Sequence, residues 1–382
     1  MKTVAGTLQE EATRIAVIGA GIGGLAAANA LSRIGGVVDV FEQAPQFQRV
    51  GTAINLTPNA VKVMDGLGLG QPVRDTAYRP THRVSRTWDS GAETSRLEMS
   101  RAAEQRYGAP QLTMHRADLL AALQSALPEG TIRLGKRLVG LAQDPDGVAL
   151  AFDDGTSARA AAVIGADGIH STVRGLVFGK EAPRFASMVG YRSLIPARRL
   201  ASYDSAAFIK WWGPTQQSML ITFLINRGED LYIFATRAEE SWRQESWSSQ
   251  GDVQELRAAY ADFHSEARDV LEQCEDVLKT ALYERDPLAH WTKGRVTLLG
   301  DACHPMMPFM AQGAATGLED AAILARCVAA ESRIADALDR YEKARLGRAS
   351  TMQLVSRENE FLRTGIDADW VYGYDAWNAA LS

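Results

Sequence analysis

The chain has 382 residues, 46% of them hydrophobic, and its 46 acidic against 41 basic side chains leave a net charge of −5. That length supports a large core and two subdomains, and so mild a charge excludes the basic footprint of a nucleic-acid or anionic-membrane binder. Three widely spaced cysteines, Cys274, Cys303 and Cys327, form neither a disulfide framework nor a metal-ligand pair, so no metal site is expected.

Residues 1–10 lack the apolar segment of a signal peptide, and no apolar run approaches the ~20 residues of a membrane span. A cytoplasmic enzyme, monomer or homodimer, is the expectation. An apolar strand over 15–18 runs into Gly19-x-Gly21-x-x-Gly24 and an alanine-rich helix over 25–31. Strand, Gly-x-Gly-x-x-Gly and helix in that order suit a dinucleotide pyrophosphate. The first glycine makes the tight turn, the second lets backbone approach phosphate, and the third lets helix pack on strand. A second apolar run, 37–41, delivers Glu42 at a spacing suited to ribose hydroxyls.

The pattern then predicts a loop over 49–58, a helix over 59–67, and mixed sheet and loop over 76–105. His115 and Arg116 open an amphipathic helix. Short strands follow over 132–134, 138–143 and 147–152, the last turning at Asp154-Gly155. The strand 161–164 runs into Gly165-Ala-Asp167-Gly168. Alternating stretches over 208–212, 218–225 and 231–235 predict an antiparallel sheet, followed by one helix over 253–277. Of Trp211 and Trp212, one should face the interior and the other solvent or a partner. Arg192 suits either an anionic ligand or a surface ion pair, and the run 237–245 reads as a solvated face. A buried strand over 296–299 ends in Gly300-Asp301, and helices follow over 314–330 and 334–361. The fold class is α/β. A Rossmann-like dinucleotide-binding domain over 1–75, 106–186 and 286–340 holds an inserted antiparallel-sheet substrate domain over 76–105 and 187–285, with a C-terminal helical segment over 341–382.

Asp301 carries the chemistry furthest. A carboxylate at the C-terminal end of a parallel strand lies where ligands bind in such sheets and can accept hydrogen bonds from a sugar alcohol. Gln312, Gly313 and Ala314 open a helix whose unpaired N–H groups and partial positive charge suit an anionic ring such as reduced flavin. His304 reads as a structural residue of the preceding loop, and Cys303 has no evident base.

Together, Gly19-x-Gly21-x-x-Gly24…Glu42, Gly165-Ala-Asp167-Gly168 and Gly300-Asp301-Ala-Cys-His304-Pro305…Gln312-Gly313 resemble the single-component FAD-dependent aromatic hydroxylases. That family includes the salicylate and 3-hydroxybenzoate hydroxylases, and the chain also resembles its 6-hydroxynicotinate 3-monooxygenase branch. The likeness covers nearly the whole chain. It implies FAD as cofactor, NADH or NADPH as co-substrate, and oxygen delivered from flavin C4a to an aromatic substrate. Glu42 and Gln43 would lie at the adenosine ribose, Leu138 at the adenine, and Asp167 near the pyrophosphate and the reductant's path. Arg116 and Asp301 would hold the ribityl side, and Gln312, Gly313 and Ala314 the flavin ring.

On the substrate side the chain departs from that branch. Asn55 and Phe309 stand where it carries histidines, and the stretch 216–223, with Gln217 and Phe223, lacks its His and Tyr. Asn55, Phe309, Gln217 and Phe223 are therefore the candidate catalytic positions, and asparagine is no general base near neutral pH. The residues alone also leave open an FAD oxidoreductase of the same fold that does not activate oxygen.

Overall fold

The computed structural model describes residues 14–49, 53–99, 101–200, 203–242, 249–363 and 367–381; the leader reading of residues 1–10 lies outside them. A six-stranded sheet runs Thr292–Lys293, Val296–Leu298, Ala162–Gly165, Arg14–Ile18, Val37–Phe41, Ile132–Arg133, parallel except for the hairpin of its first two strands. Its register levels the strand ends. Ile18 lies beside both Phe41 and Gly165, and Gly165 beside Leu298. The residues after each strand, Gly19, Glu42, Asp167 and Asp301, therefore arrive at one edge, where open parallel sheets bind ligands.

The helices Ile22–Arg33 and Gly313–Ala330 pack together over this sheet. The long helix Ile334–Glu358 is tied to Gly313–Ala330 by a buried charge network. Arg345 pairs with Glu319 at 2.8 Å and with Asp320 at 2.7 Å, and all three are fully buried.

A seven-stranded sheet runs Leu278–Glu284, Arg184–Pro196, Asp230–Ala238, Met219–Ile225, Ala207–Trp212, His82–Thr87, Glu93–Glu98. Its central strands are buried on both faces, which is why they read as nearly continuous apolar runs. One face packs Ile209, Trp211, Leu220 and Ile233 against the short helices Val253–Ala259 and Ser265–Glu272. The other face presents Phe208, Ile221, Phe223, Tyr232 and Phe234 to Met307 and Phe309, which come from the loop beyond the six-stranded sheet.

Four expectations are corrected. The helix over 253–277 is two helices, because the His264 side chain accepts from Glu266 N and starts a second one. Trp211 and Trp212 are both buried, since both faces of their strand are covered. Of the two readings of Arg192, the surface ion pair falls away, because the residue is buried, with its guanidinium bonded to Thr280 Oγ1 and lying over the Phe234 ring. The described part of the run 237–245 is not simply solvated, because Arg237 and Glu239 join a charge cluster with Glu255 and Lys279. Among the described residues no helix is long and apolar enough to cross a membrane.

Candidate active site

The glycine turn is built as its spacing implies. Gly19 has φ +102°, and a Cβ there would lie 2.4 Å from Ala166 O. A Cβ on Gly24 would lie 2.0 Å from Gly19 O, so the helix can approach the strand only without a side chain at 24. At Gly21 the result is opposite: a Cβ would meet no heavy atom within 4 Å. The middle glycine thus faces outward, where a phosphate would approach the backbone. Helix Ile22–Arg33 has no capping side chain and no acid in its first turn, so its N–H groups point the same way.

Glu42 sits against this turn. Its Oε2 accepts from Ala20 N and its Oε1 from Ala44 N, each at 2.8 Å, which fixes the carboxylate and leaves lone pairs for hydroxyls. Gln43 beside it is exposed. The Leu138 side chain is buried in the core, so only its backbone can serve an adenine. A β-bulge between Leu138 and Gly140 interrupts the ladder to Gly147–Phe152 there, releasing backbone groups.

Asp167 lies against Gly19, but its carboxylate caps the helix Thr172–Phe178. It accepts from Ser171 Oγ at 2.5 Å, Thr172 N at 2.7 Å and Val173 N at 3.1 Å. It therefore holds the loop that seats the turn.

Arg116 and Asp301 belong to the same site, Asp301 at the sheet edge and Arg116 close enough for the two charges to act on each other. Both are reachable by solvent, yet protein crowds them. Burial lowers the Arg116 guanidinium from its ordinary range, with the Asp301 charge opposing. Burial raises the Asp301 carboxyl, with His304 and Arg116 opposing. Asp301 faces the start of helix Gly313–Ala330: a Cβ on Gly313 would lie 3.9 Å from Asp301 Oδ1. That helix also lacks a side-chain cap and an acidic first turn, so the N–H groups at Gly313 and Ala314 remain for a ligand. The Gln312 side chain is otherwise engaged. It donates to Thr57 Oγ1 at 2.8 Å and accepts from Asn59 Nδ2 at 3.0 Å, locking the strand that carries Asn55 to the helix start.

Cys303 lies beside His304 in a buried cluster, its Sγ donating to Gly300 O at 3.3 Å. His304 is drawn in by Asp320, whose Oδ2 lies 2.6 Å from His304 Nε2. Donor atoms of Cys303, His304 and Asp320 lie within 4.8 Å of one another, all buried. Asp320 is also held by Arg345 and by Gly300 N at 3.1 Å, so the cluster braces the Asp301 turn from beneath.

The substrate side is apolar. Phe208 and Phe223 stack at 4.9 Å between centroids, and Tyr232, Phe234, Met307 and Phe309 complete the cluster. Asn55 and Ala53 share one face of the strand Ala53–Leu56, and Ala53 packs against this cluster. Asn55 is 5% exposed, and neither Nδ2 nor Oδ1 has a hydrogen-bond partner among the described residues. Phe309 and Phe223 thus come together in one cluster, with Asn55 on the strand face that borders it, but Gln217 lies apart. It lies in the turn before Met219–Ile225, where its carbonyl accepts from Thr236 Oγ1 at 2.7 Å.

Sequence reasoning passed over Lys210, which extends onto this same sheet face, beside Phe309. Its alternation with Phe208 was the available signal.

The cradle fits FAD. Gly21 and the first helix start suit the pyrophosphate, Glu42 a ribose, Arg116 and Asp301 the ribityl chain, and the second helix start an electron-rich ring. A family model described as "FAD binding domain" matches residues 12–356. The 6-hydroxynicotinate 3-monooxygenase of Bordetella bronchiseptica is 40% identical over 377 residues, 96% of this chain and 97% of that protein. A salicylate hydroxylase substrate complex superposes with TM-score 0.82 at 27% identity, covering 95% of this chain and 96% of that one. Klebsiella pneumoniae HpxO complexed with FAD and uric acid gives TM-score 0.81 at 28% identity, covering 94% and 90%. The chain belongs to the FAD-binding aromatic hydroxylase family.

Proposed function

We propose that the chain is an FAD-dependent monooxygenase that hydroxylates a ring bearing a hydroxyl and an acidic group, a hydroxylated benzoic or pyridine carboxylic acid, using NAD(P)H and O2. Bound FAD would take a hydride equivalent from NAD(P)H and pass one atom of oxygen to the ring. The chain's own residues position, polarise and keep water out.

The observation that carries this reading is the Asn55 amide. A buried amide lacking partners costs about 1–3 kcal/mol. It shares a strand face with Ala53, which packs against an apolar, ring-lined cluster that would accept a planar aromatic. A ring hydroxyl or ring nitrogen can satisfy it. Asn55 would then polarise the substrate hydroxyl without taking its proton. Phe208, Phe223 and Phe309 would exclude water, which guards a reactive oxygen-transfer step against side reactions. Where the oxygen lands relative to the carboxyl decides whether carbon dioxide leaves. The three cysteines are buried thiols, as befits a cytoplasmic enzyme.

The test is oxygen uptake and NADH oxidation by the yellow protein with 6-hydroxynicotinate, salicylate and 3-hydroxybenzoate. Ligand-stimulated oxidation with 18O entering the product from 18O2 is expected. Turnover that needs no oxygen would instead support an FAD oxidoreductase of the same fold.

A further inference from the structure

Lys210 is a buried cation without a buried counter-charge. It is 1% exposed, in the middle of the strand Ala207–Trp212. Its ammonium carries three N–H donors. One is directed at the neutral Asn359 Oδ1, 2.7 Å away. The Nζ also lies 3.5 Å from the Trp212 ring centroid and 5.8 Å from that of Phe309. No carboxylate lies within 4 Å among the described residues; Glu360 acts on it only at longer range. Asn359 is itself fixed: it ends helix Ile334–Glu358 with φ 52° and donates from Nδ2 to Gln216 O at 2.7 Å.

The surroundings add positive charge. Arg83, on the adjacent strand and directly paired with Phe208, lies over that ring at 4.6 Å and donates to Tyr372 Oη at 3.1 Å. The Arg83 guanidinium is buried too, and its Nε has no partner among the described residues. Burying an ammonium beside a guanidinium is costly unless an anion compensates it. Burial, with Arg83 and Arg363 adding to it, pushes the Lys210 ammonium well below its ordinary range. Two aromatic faces soften that cost but do not replace an anionic oxygen.

From this geometry we infer that Lys210 is the residue that recognises an anionic oxygen of the ring substrate. Phe208 and Phe309 join it to the apolar cluster, so a ring bound there presents its charged substituent to the ammonium. The inference rests on reading that cluster as the ring pocket. The oxygen comes either from the carboxylate or from an ionised ring hydroxyl, and the two sources are separable.

The experiment follows the absorbance change of the bound flavin on titration with 6-hydroxynicotinate, nicotinate and 2-hydroxypyridine. The first carries both substituents, the others one each. Wild-type protein is compared with Lys210→Met, and with Lys210→Gln, which keeps a polar contact for Asn359 should the methionine variant fold poorly. Thermal unfolding and flavin content are measured alongside. A tenfold or greater loss of affinity for 6-hydroxynicotinate is expected in both variants. If the carboxylate is recognised, nicotinate follows that loss and 2-hydroxypyridine does not; if the hydroxyl oxygen is, the pattern reverses. Equal affinities in wild type and variants overturn the inference. So does a fall in melting temperature with no ligand-selective change, which marks a purely structural cation, or a wild-type spectrum that none of the three perturbs. Wild-type protein that binds these ligands through Lys210 yet yields no oxygenated product would overturn the monooxygenase reading and leave this one standing.

Discussion

The loop that carries Met307 and Phe309 links the cofactor site at Asp301 and Gly313 to the ring pocket, and the two are built on opposite principles. At the cofactor site, several polar side chains are already held by protein partners. Glu42 is held by Ala20 N and Ala44 N, Asp167 caps a helix, and Gln312 bridges Thr57 and Asn59. What remains for a ligand is largely backbone, two uncapped helix starts and the outward face of Gly21, joined by the Arg116 and Asp301 side chains and the free lone pairs of Glu42. In the pocket the backbone is consumed by the sheet, and the side chains are left incomplete, Asn55 with no partner and Lys210 with one. A surface that recognises through backbone can serve one cofactor across many proteins. A surface that recognises through a few unsatisfied side chains changes its ligand when one residue changes.

That contrast is broken most severely at the glycines. Gly24→Val drives a side chain into Gly19 O, where even a Cβ would lie at 2.0 Å. Overpacking against backbone should cost at least about 3 kcal/mol and abolish flavin retention. Gly21→Ala meets no protein atom, so the apoprotein melting temperature should stay within a degree or so while FAD affinity falls about tenfold. Flavin content and calorimetry of both variants check the pair; equal destabilisation would mean that Gly21 serves packing rather than phosphate approach.

The support beneath the cleft should fail in acid. Burial alone would raise the Asp320 carboxyl, but the charges of His304 and Arg345 hold it down at about 2. A folded value below the unfolded one stabilises the protein above pH ~4 and is lost as pH falls toward 2. The loss should be about 2–3 kcal/mol. Urea unfolding between pH 5 and 3 should show stability declining, and Asp320→Asn should flatten that decline. Asp301→Ala, in the turn that Asp320 holds through Gly300 N, removes a carboxylate that solvent can reach. It should weaken FAD binding by about 2 kcal/mol, some thirtyfold, through lost hydrogen bonds to hydroxyls. Wild-type flavin content in that variant would remove Asp301 from the cofactor's partners.

The same contrast explains what could be read from the chain. The cleft was legible because its parts are local. Gly19, Gly21, Gly24 and Glu42 lie within one strand–helix–strand unit, and the strand-then-glycine pattern repeats at Gly165 and Gly300. The pocket joins residues 53–55, 208–234 and 307–309 with Asn359, which no short spacing connects. Alternation placed Phe208, Phe223 and the Trp pair on strands, yet it cannot say that both sheet faces are covered. Trp212 and Arg192 were therefore open to misreading as surface residues, and nothing in the local pattern singled out Lys210. Gln217 was misjudged for a related reason: it is adjacent in sequence to the strand but lies in its turn, beyond the face that Phe223 occupies.

The smallest expected effect tests the pocket's side of the comparison most cleanly. Asn55→Ala takes away an amide with no protein partner, so the fold should lose little. Removing an unsatisfied buried group relieves a desolvation cost, and the apoprotein could gain slightly in melting temperature. Flavin content should match wild type, because the neighbouring Gln312–Asn59 lock does not involve Asn55. Hydroxylation should nonetheless fall about tenfold in kcat/KM, the worth of one hydrogen bond to the ring substituent. Supplying ligands that differ only in the hydroxyl locates the effect, since a ring lacking it should be bound equally by both proteins. If flavin content and hydroxylation fell together, Asn55 would belong to the cofactor cleft, and the division between a backbone surface and a side-chain surface would not hold at residue 55.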